Sequence, residues 1–154
     1  MADGLFVDTW GWCALADRRE PFHGDVRELL DHRWRRGQFV ATTDYVLDET
    51  ITLVFRRVSH TTGRRLLSAL DASITDGFVQ LEPVSIDRFS AAKAMRLKFR
   101  ERPDISFTDF TSFVVMRELG IREVVTQGGH FVDAGFVTIP SARARRSKAR
   151  RPRR

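Results

Sequence analysis

The sequence predicts an α/β fold, a short parallel sheet with helices covering both faces. Two observations lead there. Short apolar runs alternate along the chain with stretches of helical spacing, and that alternation is the mark of strand–helix–strand units. The runs are also apolar almost throughout, as strands buried on both faces are. The 154 residues suffice for one ordinary domain. With 42% hydrophobic and 30% charged residues, the composition excludes a disordered chain, and no apolar run approaches the roughly 20 residues of a membrane helix.

Leu5-Phe6-Val7-Asp8-Thr9 reads as a buried strand closed by a carboxylate and a hydroxyl. The apolar segment 10–16 follows, and Pro21 opens a helical stretch in which Val26, Leu29, Leu30 and Trp34 recur, up to a stop near Gly37. Phe39-Val40-Ala41-Thr42 is a second strand. Residues 44–57 and 61–73 are predicted helices, the latter with Leu66, Leu67 and Leu70 inward. Phe78-Val79-Gln80-Leu81 is a third strand, ended by Pro83, and 86–100 a helix through Phe89, Ala92, Met95 and Phe99. Ser106 or Thr108 caps a helix running to Gly120. The short strands 124–126 and 136–139 complete the set.

The net charge of +6 belongs to the C-terminus. Residues 141–154 hold 8 basic and no acidic side chains, leaving 18 basic and 20 acidic residues before them, a net of −2. The expected organisation is one domain over 1–140 and a disordered Arg-rich tail over 141–154. The tail has two readings: a solvated terminus, or a source of salt-sensitive affinity for RNA. The acidic start Met1-Ala2-Asp3-Gly4 does not read as a signal peptide, and the single cysteine, Cys13, excludes an internal disulfide and a Cys-based zinc site. A cytoplasmic location is expected.

Three acids stand out from the twenty. Asp8 ends an apolar strand, where open α/β sheets bind ligands; it either needs compensation by a metal, a donor or a proton, or it simply caps the segment that follows. Glu49 interrupts the apolar face of helix 44–57, but Asp48 is almost as well placed, and spacing does not choose between them. Asp109 lies in the first turn of helix 108–119, where its rotational neighbours turn it inward; the alternative is a plain first-turn acid, which the helix dipole favours. Among the histidines only His130 sits in a turn beside a strand end, and packing or surface roles suit all four. No phosphate-binding loop, dinucleotide fingerprint or nucleophile elbow appears.

Taken together, Phe6-Val7-Asp8-Thr9, the stretch Thr42 to Thr50, Ser106 to Phe113 and His130 to Phe136 resemble the PIN-domain nucleases, most closely the VapC-type toxins of toxin–antitoxin pairs. The resemblance runs from about residue 4 to 139. It implies a PIN-like three-layer fold with a short parallel sheet flanked by helices, and cleavage of RNA phosphodiester bonds. It implies a site in which Asp8, Glu49 and Asp109 are both metal ligands and catalytic residues, which resolves the tie in favour of Glu49. It also implies Mg²⁺ or Mn²⁺ as cofactor, a cognate antitoxin as partner and a homodimer, with no membrane. Thr9 and Thr108 match neighbouring polar positions. An oxygen-only ligand set independently suits a hard divalent cation.

One position departs from the family pattern. In Thr126-Gln127-Gly128-Gly129-His130-Phe131, Gly128 stands where the family usually has an aspartate. The leading expectation is a metal-dependent endoribonuclease toxin. The alternative, favoured by Gly128, is a weakened PIN-like module that binds RNA or a protein without efficient cleavage.

Overall fold

The computed structural model describes residues 4–150. Five strands form one all-parallel sheet in the order β3-β2-β1-β4-β5. They are β1 (Leu5–Val7), β2 (Val40–Thr43), β3 (Val79–Glu82), β4 (Glu123–Val125) and β5 (Val137–Ile139). The helices are α1 (Thr9–Ala16), α2 (His23–Arg35), α3 (Asp44–Arg57), α4 (His60–Thr75), α5 (Ile86–Lys98), α6 (Phe107–Leu119), α7 (His130–Asp133) and α8 (Ala142–Ala149). Every residue of β1 and β2 is buried. Successive strand residues point to opposite faces, so helices cover both sides of the sheet, as the continuous apolar runs predicted.

The order of strands matters more for the site than their number. From the central β1 the chain builds outward through β2 to β3, then returns to the other side of β1 to lay down β4 and β5. The connection direction reverses between β1 and β4, and in open parallel sheets ligand crevices form at the carboxyl ends of such a pair. Asp8 follows β1 there, and Thr126 follows β4.

Local chemistry explains where the helices begin. The hydroxyls of Thr43, Ser59, Ser85 and Ser106 accept from backbone N–H groups in the first turns of α3, α4, α5 and α6. Of the two capping candidates for α6, Ser106 takes the role. Gly120, at φ 68°, ends α6 in the left-handed conformation that glycine adopts without strain. Several boundaries shift by a residue or two, and two differences change the type of element. Thr9 opens α1 rather than closing β1, and residues 130–133 form the short helix α7 rather than a plain turn.

The expected disorder after Pro140 gives way, over the described part, to α8. Ser141 caps it, and Ala, Arg and Lys favour the helix. Lys148 extends its ammonium over the Phe22 ring at 4.5 Å and pairs with Asp25, so α8 docks on α2 without an apolar face. Residues 151–154 lie outside the described residues.

Gly11 sets how closely α1 sits on the sheet. A Cβ there would lie 2.8 Å from Val7 Cγ1 and 2.9 Å from both Val125 Cγ1 and Val125 O. Gly11→Ala is therefore expected to lift α1 off the β1/β4 pair. After the gain in helix propensity, a net loss of about 2 kcal/mol should lower the melting temperature by roughly 4–8 °C. Thermal melts would check this, and an unchanged melting temperature would contradict the close packing.

Candidate active site

Asp8 holds the N-cap position of α1, yet its side chain makes no capping bond. The carboxylate instead receives the Thr126 hydroxyl on Oδ2 at 2.9 Å, across the β1/β4 switch point. Thr126 in turn accepts from the Gly128 N–H at 3.2 Å. Asp8 is only 8% exposed. Burial raises its pKa from 3.8 to about 7, and the charge of Asp109 adds to that. Hydrogen bonds from the Thr9 backbone and the Thr126 hydroxyl oppose the rise, and Glu49 contributes the weakest push upward.

Asp109 lies in the first turn of α6, its own N–H bonded to Ser106 Oγ at 3.1 Å. The side chain is 16% exposed, and its Oδ2 lies 3.0 Å from His130 Nδ1. The other ring nitrogen, Nε2, lies 2.9 Å from Asp104 Oδ2. Burial works against protonation of His130, but its bonds to Asp109 and Asp104 and their charges outweigh it, so its pKa is raised. Phe131 explains why α7 sits here. It is buried edge-on against Phe113, one helical turn beyond Asp109, with ring centroids 4.9 Å apart.

Glu49 is placed differently. It is exposed on α3, and its Oε2 accepts from the Thr9 hydroxyl at 3.1 Å. Asp48 is also exposed and is absent from the charges that act on Asp8, whereas Glu49 is among them. Asp44, the other acid on this face, is occupied in structure, accepting from the Val84 N–H at 2.8 Å. The three expected acids thus form a coupled pair, Asp8 and Asp109, with Glu49 at the rim. Thr108 contributes its carbonyl to Thr111 Oγ1 at 2.7 Å.

Among the described residues no group of three or more His, Cys, Asp or Glu side chains is arranged, as it stands, to hold a metal ion. The donor chemistry nevertheless fits a hard divalent cation. The candidate donors are all oxygen, and a buried carboxylate pushed up to about 7 by burial and by like charges is short of positive charge.

Two residues stand beside the acids that sequence reasoning did not assign. Thr126 was noted only as part of the departing motif, and its bond to Asp8 spans 118 positions, so no local signal could reveal it. His130 had one signal, its turn beside a strand end, and a surface or packing role is the reading that the sequence favours for it. Several concavities of about 530–630 Å³ lie away from these acids. One of about 530 Å³ runs between the α1–α2 corner and α4, with Leu15, Val58 and Leu66 on its floor and Arg18 and Arg65 at its rim. No helix among the described residues is long and apolar enough to cross a membrane.

Comparison with known proteins adds sequence and structural likeness. The family model described as PIN domain matches residues 5–137. The chain is 36% identical over 136 residues to the 23S rRNA-specific endonuclease VapC20 of Mycobacterium tuberculosis, in strains CDC 1551 / Oshkosh and ATCC 25618 / H37Rv, covering 88% of this chain and 97% of the relative. A crystal structure of VapC20, described as a sarcin–ricin loop cleaving toxin, superposes with a TM-score of 0.72 at 35% identity. That match spans 86% of this chain and 96% of the other.

Proposed function

The chain belongs to the PIN-domain family, and from that premise we propose that it is a VapC-type endoribonuclease toxin that hydrolyses an RNA phosphodiester bond. One observation supports the reading above the others. A carboxylate at the carboxyl end of the central strand is buried, lacks a capping role and is raised to about 7 beside a second acid. A structural residue gains nothing from that placement, whereas a cation-binding site needs it.

Asp8 and Asp109 would hold Mg²⁺ or Mn²⁺, with Glu49 joining directly or through a water. When bound there, the cation would supply an activated water and neutralise charge building on the scissile phosphate. The chain's own residues prepare that site: Thr126 orients Asp8 through one oxygen, and Thr9 orients Glu49. Both hydroxyls sit on backbone that the sheet and α1 hold rigid.

The partners follow from the same reading. RNA is the substrate, and a cognate antitoxin silences the enzyme in the cytoplasm. The arginine-rimmed apolar concavity beside α4 suits a protein partner with an acidic, amphipathic segment. Ile86, Phe89 and Leu97, exposed along one side of α5, support a homodimer.

Cleavage of a sarcin–ricin stem-loop RNA in Mg²⁺, Mn²⁺ or EDTA tests the proposal. One discrete cut that EDTA abolishes is expected. A shuffled stem-loop should remain intact; cutting of both RNAs would keep the nuclease and remove the target. A second reading rests on Gly128: RNA retained without cleavage under every metal condition would favour the weakened binding module.

A further inference from the structure

We propose that His130 is a positioning residue for Asp109, a strut that fixes one carboxylate oxygen so that the other is presented to a bound cation. The inference rests on the metal-site reading above and concerns a residue outside the three acids. Both ring nitrogens of His130 are occupied, Nδ1 by Asp109 at 3.0 Å and Nε2 by Asp104 at 2.9 Å. The two carboxylates differ in their surroundings. Asp104 is clasped by Arg102, whose Nε and Nη2 each lie 3.2 Å from its oxygens, while Asp109 faces the buried acid Asp8.

The outer half of this strut is anchored in turn. Arg102 also pairs with Asp133 at the end of α7. Arg96 donates to the carbonyls of Phe99 at 2.6 Å, Arg102 at 2.8 Å and Ile105 at 3.3 Å, which holds the α5–α6 loop that carries Arg102 and Asp104. The guanidinium of Arg96 is itself stacked 4.9 Å above Phe110, a core residue of α6. A cation–π contact followed by charged hydrogen bonds therefore leads from the core of α6 around the loop to His130 and back to Asp109.

Packing does not require this ring. Phe131, its neighbour, fills the core beside Phe113, whereas the His130 side chain is 28% exposed. The imidazole makes directed bonds rather than filling space. Hydrogen-bonded partners of metal-ligating carboxylates hold them in their binding orientation and typically contribute 10–100-fold in affinity.

The experiment compares His130→Ala, His130→Asn and His130→Gln in the full chain. Each is titrated with Mn²⁺ by calorimetry and assayed on the stem-loop RNA at limiting and saturating Mn²⁺. The asparagine amide nitrogen falls near Nδ1 and keeps the bond to Asp109, whereas the glutamine amide falls near Nε2 and keeps only Asp104. We expect Ala and Gln to weaken Mn²⁺ binding about tenfold and Asn to stay within about threefold of wild type. Cleavage at saturating Mn²⁺ should recover in all three, because Asp109 itself remains.

A packing role predicts a different order, since Gln is the larger replacement. Equal Mn²⁺ affinity in all variants, or Asn and Gln weakened alike, overturns the strut while leaving the site in place. A wild-type chain that binds no Mn²⁺ overturns the site reading first and the strut with it.

Discussion

Asp8→Asn is expected to abolish RNA cleavage and, at neutral pH without metal, to raise the melting temperature. Both outcomes come from one carboxylate. Removing a charge that acts at the reacting centre should reduce the rate by at least about 10²–10³-fold. The stability effect follows from linkage. Asp8 titrates at about 7 in the fold against an ordinary 3.8, so the folded chain holds this proton more tightly than the unfolded one. Its contribution to stability is therefore fully present below pH 3.8 and is lost as pH rises to about 7.

Asparagine carries no charge to bury and retains an oxygen for the Thr126 hydroxyl. Melts in EDTA should coincide for the two proteins near pH 4 and diverge as pH rises. Above pH 7 the variant should be favoured by about 4 kcal/mol, or roughly 8–16 °C in melting temperature. Adding Mn²⁺ should stabilise the wild type and leave the variant nearly unmoved, because only binding to the native state produces that shift. A stability difference independent of pH would refute the buried-charge account, and undiminished cleavage would remove Asp8 from the site.

Gly128→Asp should act in the opposite sense. The backbone at 128 avoids the left-handed region, and an added Cβ meets only Thr126 Oγ1, at an ordinary 3.6 Å. The new carboxylate would therefore enter without strain beside the hydroxyl that holds Asp8. Asp8, Glu49 and Asp109 offer three formal negative charges, against the four positive charges of two divalent cations. A fourth acid improves that balance, and one further ligand interaction of about 1.4 kcal/mol would tighten metal affinity roughly tenfold.

Asp133 will not mask the result, since Arg102 already engages it. Calorimetric Mn²⁺ titration should show the tighter binding, and cleavage should gain most at limiting metal. Without metal, a further like charge near Asp8 should lower the melting temperature by roughly 2–4 °C, equivalent to about 1 kcal/mol. If binding and cleavage are both unchanged, the missing-ligand explanation of Gly128 is wrong.

Strand and helix positions were legible because their signals are local. The run Phe39 to Thr42, the Leu66/Leu70 spacing (Leu67, expected inward with them, is exposed), the Ser106 cap and the Gly120 stop each act within a few residues of chain, where backbone preference and side-chain period decide conformation. α8 runs against the disorder expected of a segment with almost nothing apolar to bury, because its Ser141 cap and helix-favouring residues are supplemented by distant contacts. Lys148 finds Phe22 and Asp25, more than a hundred positions away, and composition cannot report such a contact. Helical spacing leaves Asp48 and Glu49 tied, because both stand exposed on α3; the Thr9 hydroxyl that Glu49 accepts comes from α1, forty positions away.

By itself the sequence determined that this protein is an α/β domain of alternating strands and helices, with Asp8, Glu49 and Asp109 in motifs that resemble those of the PIN family. Only the tertiary structure decided that β4 returns beside β1 and brings Thr126 onto Asp8. It alone freed the Asp8 carboxylate from capping α1, coupled it to Asp109 and set His130 between Asp109 and Asp104. The reason is physical. Local preferences determine what each segment becomes, but which segments adjoin depends on burying the whole apolar surface at once. A side chain's charge state and hydrogen-bond partners exist only after that burial has removed water and fixed its neighbours.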